Sequence, residues 1–134
     1  MITKEQWQLI VQRMSSSVFA YVNFSIDGYD ITVEKRLLDS TRLVYLVFVN
    51  GKILGEWIIN NSPECTKFYC LKTKRVFPER HLKALSKAGF SKKEIAEHKA
   101  KVVQFYSPYY GAFSTLKKTL IERNTELAWL PPFD

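Results

Sequence analysis

Two histidines, His81 and His98, are the side chains suited to move protons near neutral pH. Proton transfer alone is not catalysis; a nucleophile or a metal must act beside it. No nucleophile elbow, Walker loop, HExxH or GxGxxG pattern is present. His98 falls within an apolar helical stripe and reads as a packed residue. A metal-dependent hydrolase needs clustered carboxylates. Asp27, Asp30 and Glu34 straddle a turn signal instead, which marks them as turn and solvent-face groups. Cys65 and Cys70 have the spacing of neither a zinc motif nor a disulfide framework. The sequence therefore reads as a non-enzyme with no metal and no cofactor; a hydrolase built on His81 or His98 is the competing expectation.

Charge is the stronger chemical signal. From Lys67 to Arg123 there are 14 Lys and Arg against 4 acids, a balance of +10, within a chain whose formal net charge is +7. Segregated charge makes a directed field that recruits polyanions or acidic protein surfaces. Lys72 and Lys74 would share one face of a strand, spaced to contact successive phosphates; lysines at such places also protect sheet edges from aggregation. The candidate footprint is Lys72, Lys74, Arg75, Arg80, Lys83, Lys87, Lys92 and Lys93, joined by Lys117, Lys118, Tyr109 and Tyr110. The last two belong to the aromatic run Phe105-Tyr106-Ser107-Pro108-Tyr109-Tyr110-Gly111. Its rings either stack bases beside Lys117 and Lys118 or pack a corner between two elements.

These groups need a scaffold. Thr3 with Gln6 fits a capping box, and Trp7, Ile10, Val11 and Met14 then recur at helical spacing until Ser15-Ser16-Ser17. Val18, Ala20, Val22, Phe24 and Ile26 alternate before Asp27-Gly28, and Tyr29, Ile31 and Val33 alternate after it. This predicts a hairpin with a two-residue type I′ turn. A second hairpin is predicted from Leu43–Val49, Asn50-Gly51 and Lys52 to Ile59. Leu43–Val49 is apolar on both faces and is expected to be central and covered on both sides. A fifth strand is expected from Thr66 to Leu71 or a little beyond, after the turn-like Asn60-Asn61-Ser62-Pro63.

Beyond Pro78 the period turns helical. Leu82, Leu85 and Ala88 form a stripe that Gly89 ends. Ser91 with Glu94 starts a helix whose inner face is Ile95, His98, Val102 and Phe105, stopped at Ser107-Pro108. A third helix from about Ala112 to Arg123 turns Phe113, Leu116, Leu120 and Ile121 inward, and Pro131-Pro132 closes the chain. No linker interrupts this order. The expectation is a single α+β domain over residues 1–134: an N-terminal helix, an antiparallel meander of about five strands and three C-terminal helices. The segment 79–98 has the order of a DNA-binding helix-turn-helix. Against that, bulky Leu85 sits where alanine is usual, and Glu94 and Glu97 would face the groove; a plain αα-hairpin is the alternative.

With 46% hydrophobic and 25% charged residues in 134, the composition is that of an ordinary folded domain. The longest apolar run, Leu43–Val49, is too short for a bilayer, and the opening residues lack the pattern of a signal peptide. A reducing, cytoplasmic setting without a membrane partner is expected.

The run Ser91-Lys-Lys-Glu-Ile95, followed by Tyr106-Ser-Pro-Tyr-Tyr-Gly-Ala-Phe-Ser-Thr-Leu-Lys-Lys118 and ending at Asn124, resembles the C-terminal part of small uncharacterised proteins encoded by bacteriophages and prophages. The resemblance covers about the last third of the chain and brings no catalytic residues with it. It implies a bacterial cytoplasm and an accessory role, and phage accessory proteins of this size often block host defence systems, anti-CRISPR proteins among them. The expected function is a small non-catalytic basic binding protein acting on nucleic acid or a nucleic-acid-containing host complex. The alternative is a phage-encoded inhibitor that binds a host defence protein directly, with Tyr109, Tyr110 or Trp129 as apolar anchor.

Overall fold

Helix α1, Lys4–Ser15, begins at its capping box: Thr3 Oγ1 accepts the Gln6 N–H at 3.1 Å, and Gln6 Oε1 accepts the Thr3 N–H at 2.9 Å. In this computed structural model, which describes residues 1–131, Trp7, Ile10 and Met14 are buried and Val11 is exposed. Strands β1 (Tyr21–Ile26) and β2 (Tyr29–Leu37) flank the expected type I′ turn, with Asp27 at φ +48° and Gly28 at φ +86°. Strand β3 (Leu43–Val49) pairs antiparallel with β2. The chain continues through α2 (Gly55–Ile59), α3 (Pro63–Phe68), β4 (Cys70–Arg75), α4 (Glu79–Lys87), α5 (Lys92–Ala100), β5 (Val102–Ser107), β6 (Tyr109–Tyr110), α6 (Phe113–Arg123) and β7 (Leu127–Leu130). This is an α+β protein. Pro132 of the terminal Pro131-Pro132 pair lies outside the described residues.

The described chain falls into two compact units, one of Met1–Cys70 with the chain from Tyr106 onward, the other Leu71–Phe105. The first unit holds a five-stranded sheet in the order β6-β3-β2-β1-β7. Only three of those strands form a continuous meander, because the second hairpin does not form. Its turn is present, with Asn50 at φ +51° and Gly51 at φ +79°, but it carries a single bridge from Val49 to Lys52. The edge of β3 that a fourth meander strand would use is occupied by β6, through Tyr45 opposite Tyr110 and Leu46 opposite Tyr109. Residues expected as strand therefore become α2, and Pro63–Phe68 becomes α3 rather than the start of a fifth strand.

One face of the sheet makes the core. Val22, Phe24, Ile26, Ile31, Val33, Val47 and Val49 pack with Ile10 and Met14 of α1, Cys65 and Phe68 of α3, and Leu116 and Leu120 of α6. Each such fully buried side chain stabilises the fold by about 1.5–3 kcal/mol. Strand β3 is not covered equally on its two sides. Its second face sets Val44, Leu46 and Phe48 opposite Arg36, Glu34 and Thr32, and leaves Leu46 and Phe48 half-buried. In α6, Thr119 is buried while Ile121, expected inward, is 45% exposed.

The C-terminal end of α3 is closed by side chains distant in sequence. Helix ends leave carbonyls without intrahelical donors. Arg123 Nη1 donates to the carbonyls of Thr66 at 3.2 Å and Tyr69 at 2.9 Å, Asn124 Nδ2 to that of Lys67 at 3.2 Å, and the Tyr110 hydroxyl to that of Phe68 at 2.7 Å.

In the second unit, β4 pairs with β5, and α4 and α5 lie between them in the chain. Leu82 is buried, and the Phe77 ring stacks on His81 and meets His98, each with ring centroids 4.8 Å apart. Helix α5 stops at Ala100 because Lys101 is extended, at φ −71° and ψ +120°. The β-branched pair Val102-Val103 then continues as strand. Val102 and Phe105, expected on an inward helix face, are 51% and 40% exposed on β5.

Candidate nucleic-acid interface

The 35 residues of Leu71–Phe105 contain ten Lys and Arg against three acids, a net +7, while the rest of the sequence has ten of each and is neutral. The whole formal charge of the chain thus belongs to one unit. In the other unit, many cations are engaged internally. Lys67 pairs with Asp27 at 3.1 Å, Lys118 lies 3.9 Å from Glu122, Lys117 sits over the Trp7 ring at 5.2 Å, and Arg123 closes α3. The Asp27 carboxylate also accepts the Glu126 N–H at 2.8 Å and the Thr125 N–H at 3.1 Å. These backbone donors, with Lys67, hold its pKa below the ordinary carboxylate value.

Helix α4 is built to present charge. Leu82 and Leu85 face inward on it; Arg80, Lys83 and Lys87 recur at i, i+3 and i+7 and are all exposed. At 3.6 residues per turn these three lie within about 60° of one another, on the side opposite Leu82 and Leu85. Their Cβ atoms follow one another at about 5–6 Å. The helix ends in a Schellman motif, with the Gly89 N–H bonding Ser86 O at 3.2 Å and the Phe90 N–H bonding Leu85 O at 3.1 Å. Gly89 sits at φ +92°, where a residue without Cβ is needed. Ser91 caps α5 by accepting the Glu94 N–H at 3.1 Å, but the Glu94 carboxylate meets the Ser91 hydroxyl rather than its backbone, so the box is only half made.

Among the described residues Lys74, Arg80, Lys83, Lys87, Lys92 and Lys93 make neither an ion pair nor a hydrogen bond. Arg75 lies 3.5 Å from Glu79, and Lys72 is half-buried and engaged. The footprint residues divide between units: Lys72, Lys74, Arg75, Arg80, Lys83, Lys87, Lys92 and Lys93 are in the second, Tyr109, Tyr110, Lys117 and Lys118 in the first. Tyr110 is not an exposed ring. Its register opposite Tyr45 turns it to the core face, where it is 1% exposed, while Tyr109, on the other face, is half-buried. Burial holds the Tyr110 hydroxyl pKa well above its ordinary value, and pushes that of Tyr69 up to about 12.

Lys99 and Lys101, outside the candidate footprint, lie in the same unit. Lys101 Nζ sits 5.8 Å from the Phe77 ring centroid; both lysines belong to the Lys67–Arg123 charge excess. The helix, turn, helix order of 79–98 is present, but the outward side of α5 alternates Lys93 and Glu97 with Ala96 and Ala100. Among the described residues no group of three or more His, Cys, Asp or Glu is placed to hold a metal ion, and both cysteines are free. No helix of the described residues is long and apolar enough to cross a membrane.

No protein-family model, curated protein or solved structure matches this chain. Fold and charge define it as an α+β protein carrying a compact, strongly basic strand-helix-helix-strand unit.

Proposed function

We propose that this chain is a small non-catalytic basic binding protein that engages the phosphate backbone of nucleic acid, free or within a nucleoprotein complex, through residues 71–105. The observation that carries the reading is the confinement of the entire +7 to that unit. A field so concentrated draws a polyanion far more strongly than the same charge spread over the chain. The unpaired state of Lys74, Arg80, Lys83, Lys87, Lys92 and Lys93 supports it, since no internal partner has to be displaced. Fluorescence anisotropy with labelled DNA or RNA tests the reading. If those six cations all meet phosphates, the slope of log K against log salt on duplex DNA is about −5. Salt-independent binding, or no binding to duplex or single-stranded probes at low salt, refutes it.

The second reading, a phage-encoded inhibitor that binds a host defence protein directly, draws on exposed apolar side chains in the same unit. Val76, Phe90, Val102, Val103 and Phe105 are each 40–51% exposed. A phosphate backbone has no use for them, whereas a protein interface does. Capture of a bacterial partner that survives nuclease treatment, and is lost on Phe90→Ser or Phe105→Ser, would select this reading over the first.

A further inference from the structure

We infer that α4, the first helix of the pair, is the element that lies along the phosphate strand, and that it does so without reading base sequence. This rests on the nucleic-acid reading above and goes beyond it. In a helix-turn-helix the second helix enters the groove. Here the second helix is the wrong one electrostatically. Its outward side carries Lys93 and Glu97 with two alanines, and Glu94 is anchored at its N-terminus by the Ser91 hydroxyl at 3.1 Å. A pose that turns the side opposite Ile95 and His98 into a groove sets the Glu97 carboxylate toward phosphates, and Lys92 and Lys99 lie on the flank of that side.

Helix α4 has the opposite character. Arg80, Lys83 and Lys87 make an all-cationic row on the side away from Leu82 and Leu85; its one acid, Glu79, lies at the helix start, 3.5 Å from Arg75. Arg80, Lys83, Ala84 and Lys87, with Glu79 at one end, form an open, shallow surface on α4. Small Ala84 leaves the row accessible to a rod-like ligand. From Arg80 to Lys87 the helix rises about 10 Å. Measured along the duplex axis, one strand of B-form DNA passes about three phosphates over that length. Lysine and arginine contacts of this kind position a protein on nucleic acid but carry no sequence information.

The test compares two triple variants that remove the same charge from the same unit: Arg80→Gln/Lys83→Gln/Lys87→Gln on α4, and Lys92→Gln/Lys93→Gln/Lys99→Gln on α5. Binding of the full chain to a labelled duplex of about twenty base pairs is followed across salt, with far-UV circular dichroism confirming that each variant is folded; all six positions are exposed. The α4 variant is expected to flatten the salt slope by about 2.7 and to weaken binding at least about tenfold, the α5 variant to weaken it less than about threefold, and a shuffled duplex to bind as the original does. Lys83→Gln alone, at the middle of the row, is expected to flatten the slope by about 0.9 and serves if the triple variant does not fold. Equal losses from the two variants would overturn the inference in favour of a diffuse field, and a larger loss from the α5 variant would restore the second helix as the docking element. Displacement of the duplex by polyglutamate at equal charge concentration would point to an acidic protein surface and overturn it as well. Wild-type protein that binds no duplex at low salt would remove the nucleic-acid reading itself, so the two failures are distinguishable.

Discussion

Arg123 illustrates how a cation inside a basic segment can serve the fold rather than a ligand. Replacing it with methionine keeps most of its length and removes two charge-assisted hydrogen bonds. The two acceptors are not equivalent. Tyr69 is fully buried, so its carbonyl, now 2.9 Å from Nη1, would lose its donor with no water to replace it. Stranding a buried acceptor costs about 1–3 kcal/mol. Thr66 is only half-buried, and its carbonyl at 3.2 Å would recover part of the loss from water, at about 0.5–1.5 kcal/mol. The guanidinium also complements the negative end of α3 and sits 5.9 Å from the Tyr106 ring centroid. The sum for Arg123→Met is about 2–4 kcal/mol of lost stability, which lowers the urea midpoint by about 1–2 M if the slope is near 2 kcal/mol/M. Lys118→Met provides the control. It removes the same charge from the same helix, but its pair with Glu122 is 73% and 60% exposed, so the expected change is below about 0.5 kcal/mol. Equal destabilisation by the two variants would show that net charge, not the closure of α3, is what Arg123 contributes. A loss under about 0.5 kcal/mol for Arg123→Met would refute the capping argument outright.

Three further outcomes follow from the same structure. Asp27 has a lowered folded pKa, so its contribution to stability is present above the ordinary carboxylate value and is lost as pH falls through the folded value. The stability advantage of wild type over Asp27→Asn, measured by urea titration at stepped pH, is therefore expected to shrink below about pH 4; an advantage unchanged down to the acid limit would contradict this. Asparagine tolerates the positive φ of position 27, so the comparison isolates the charge. Cys65 is fully buried, and burial pushes its thiol pKa up. Its reaction with a thiol reagent, read by peptide mass spectrometry, is expected to track global unfolding, and rapid labelling in the native protein would contradict its placement. Gly89→Ala meets no neighbouring atom but must hold φ +92°, at a cost of about 1–2 kcal/mol. Proton exchange at the ends of α4 and α5 should accelerate; unchanged protection would mean the Schellman turn does not hold that pair together.

The features legible in the sequence were those set by neighbours in the chain. The Thr3 and Ser91 caps, the Asp27-Gly28 and Asn50-Gly51 turns and the Gly89 helix stop all formed where they were read, because each depends on a few residues and their own backbone preferences. The Arg80, Lys83, Lys87 spacing was legible for the same reason. The strand-versus-helix choices failed where pairing decided them. Val102 and Phe105 fit a helical stripe by spacing, yet β-branched neighbours and a partner strand in β4 took them into β5. Ile53 and Ile58 fit a fourth meander strand until β6, arriving some sixty residues later, occupied the edge of β3.

By itself, then, the sequence determined the α+β content, the positions of the caps and turns, and the stretch of chain in which positive charge accumulates. Tertiary structure alone decided which of those charges remain available. Lys67 is paired with Asp27, 40 positions away, and Arg123 is held by hydrogen bonds to carbonyls 54 and 57 positions away. Such pairings depend on how the sheet and helices close, which no local pattern encodes. They narrow a basic segment spread from Lys67 to Arg123 to the one unit, Leu71–Phe105, that holds the whole +7.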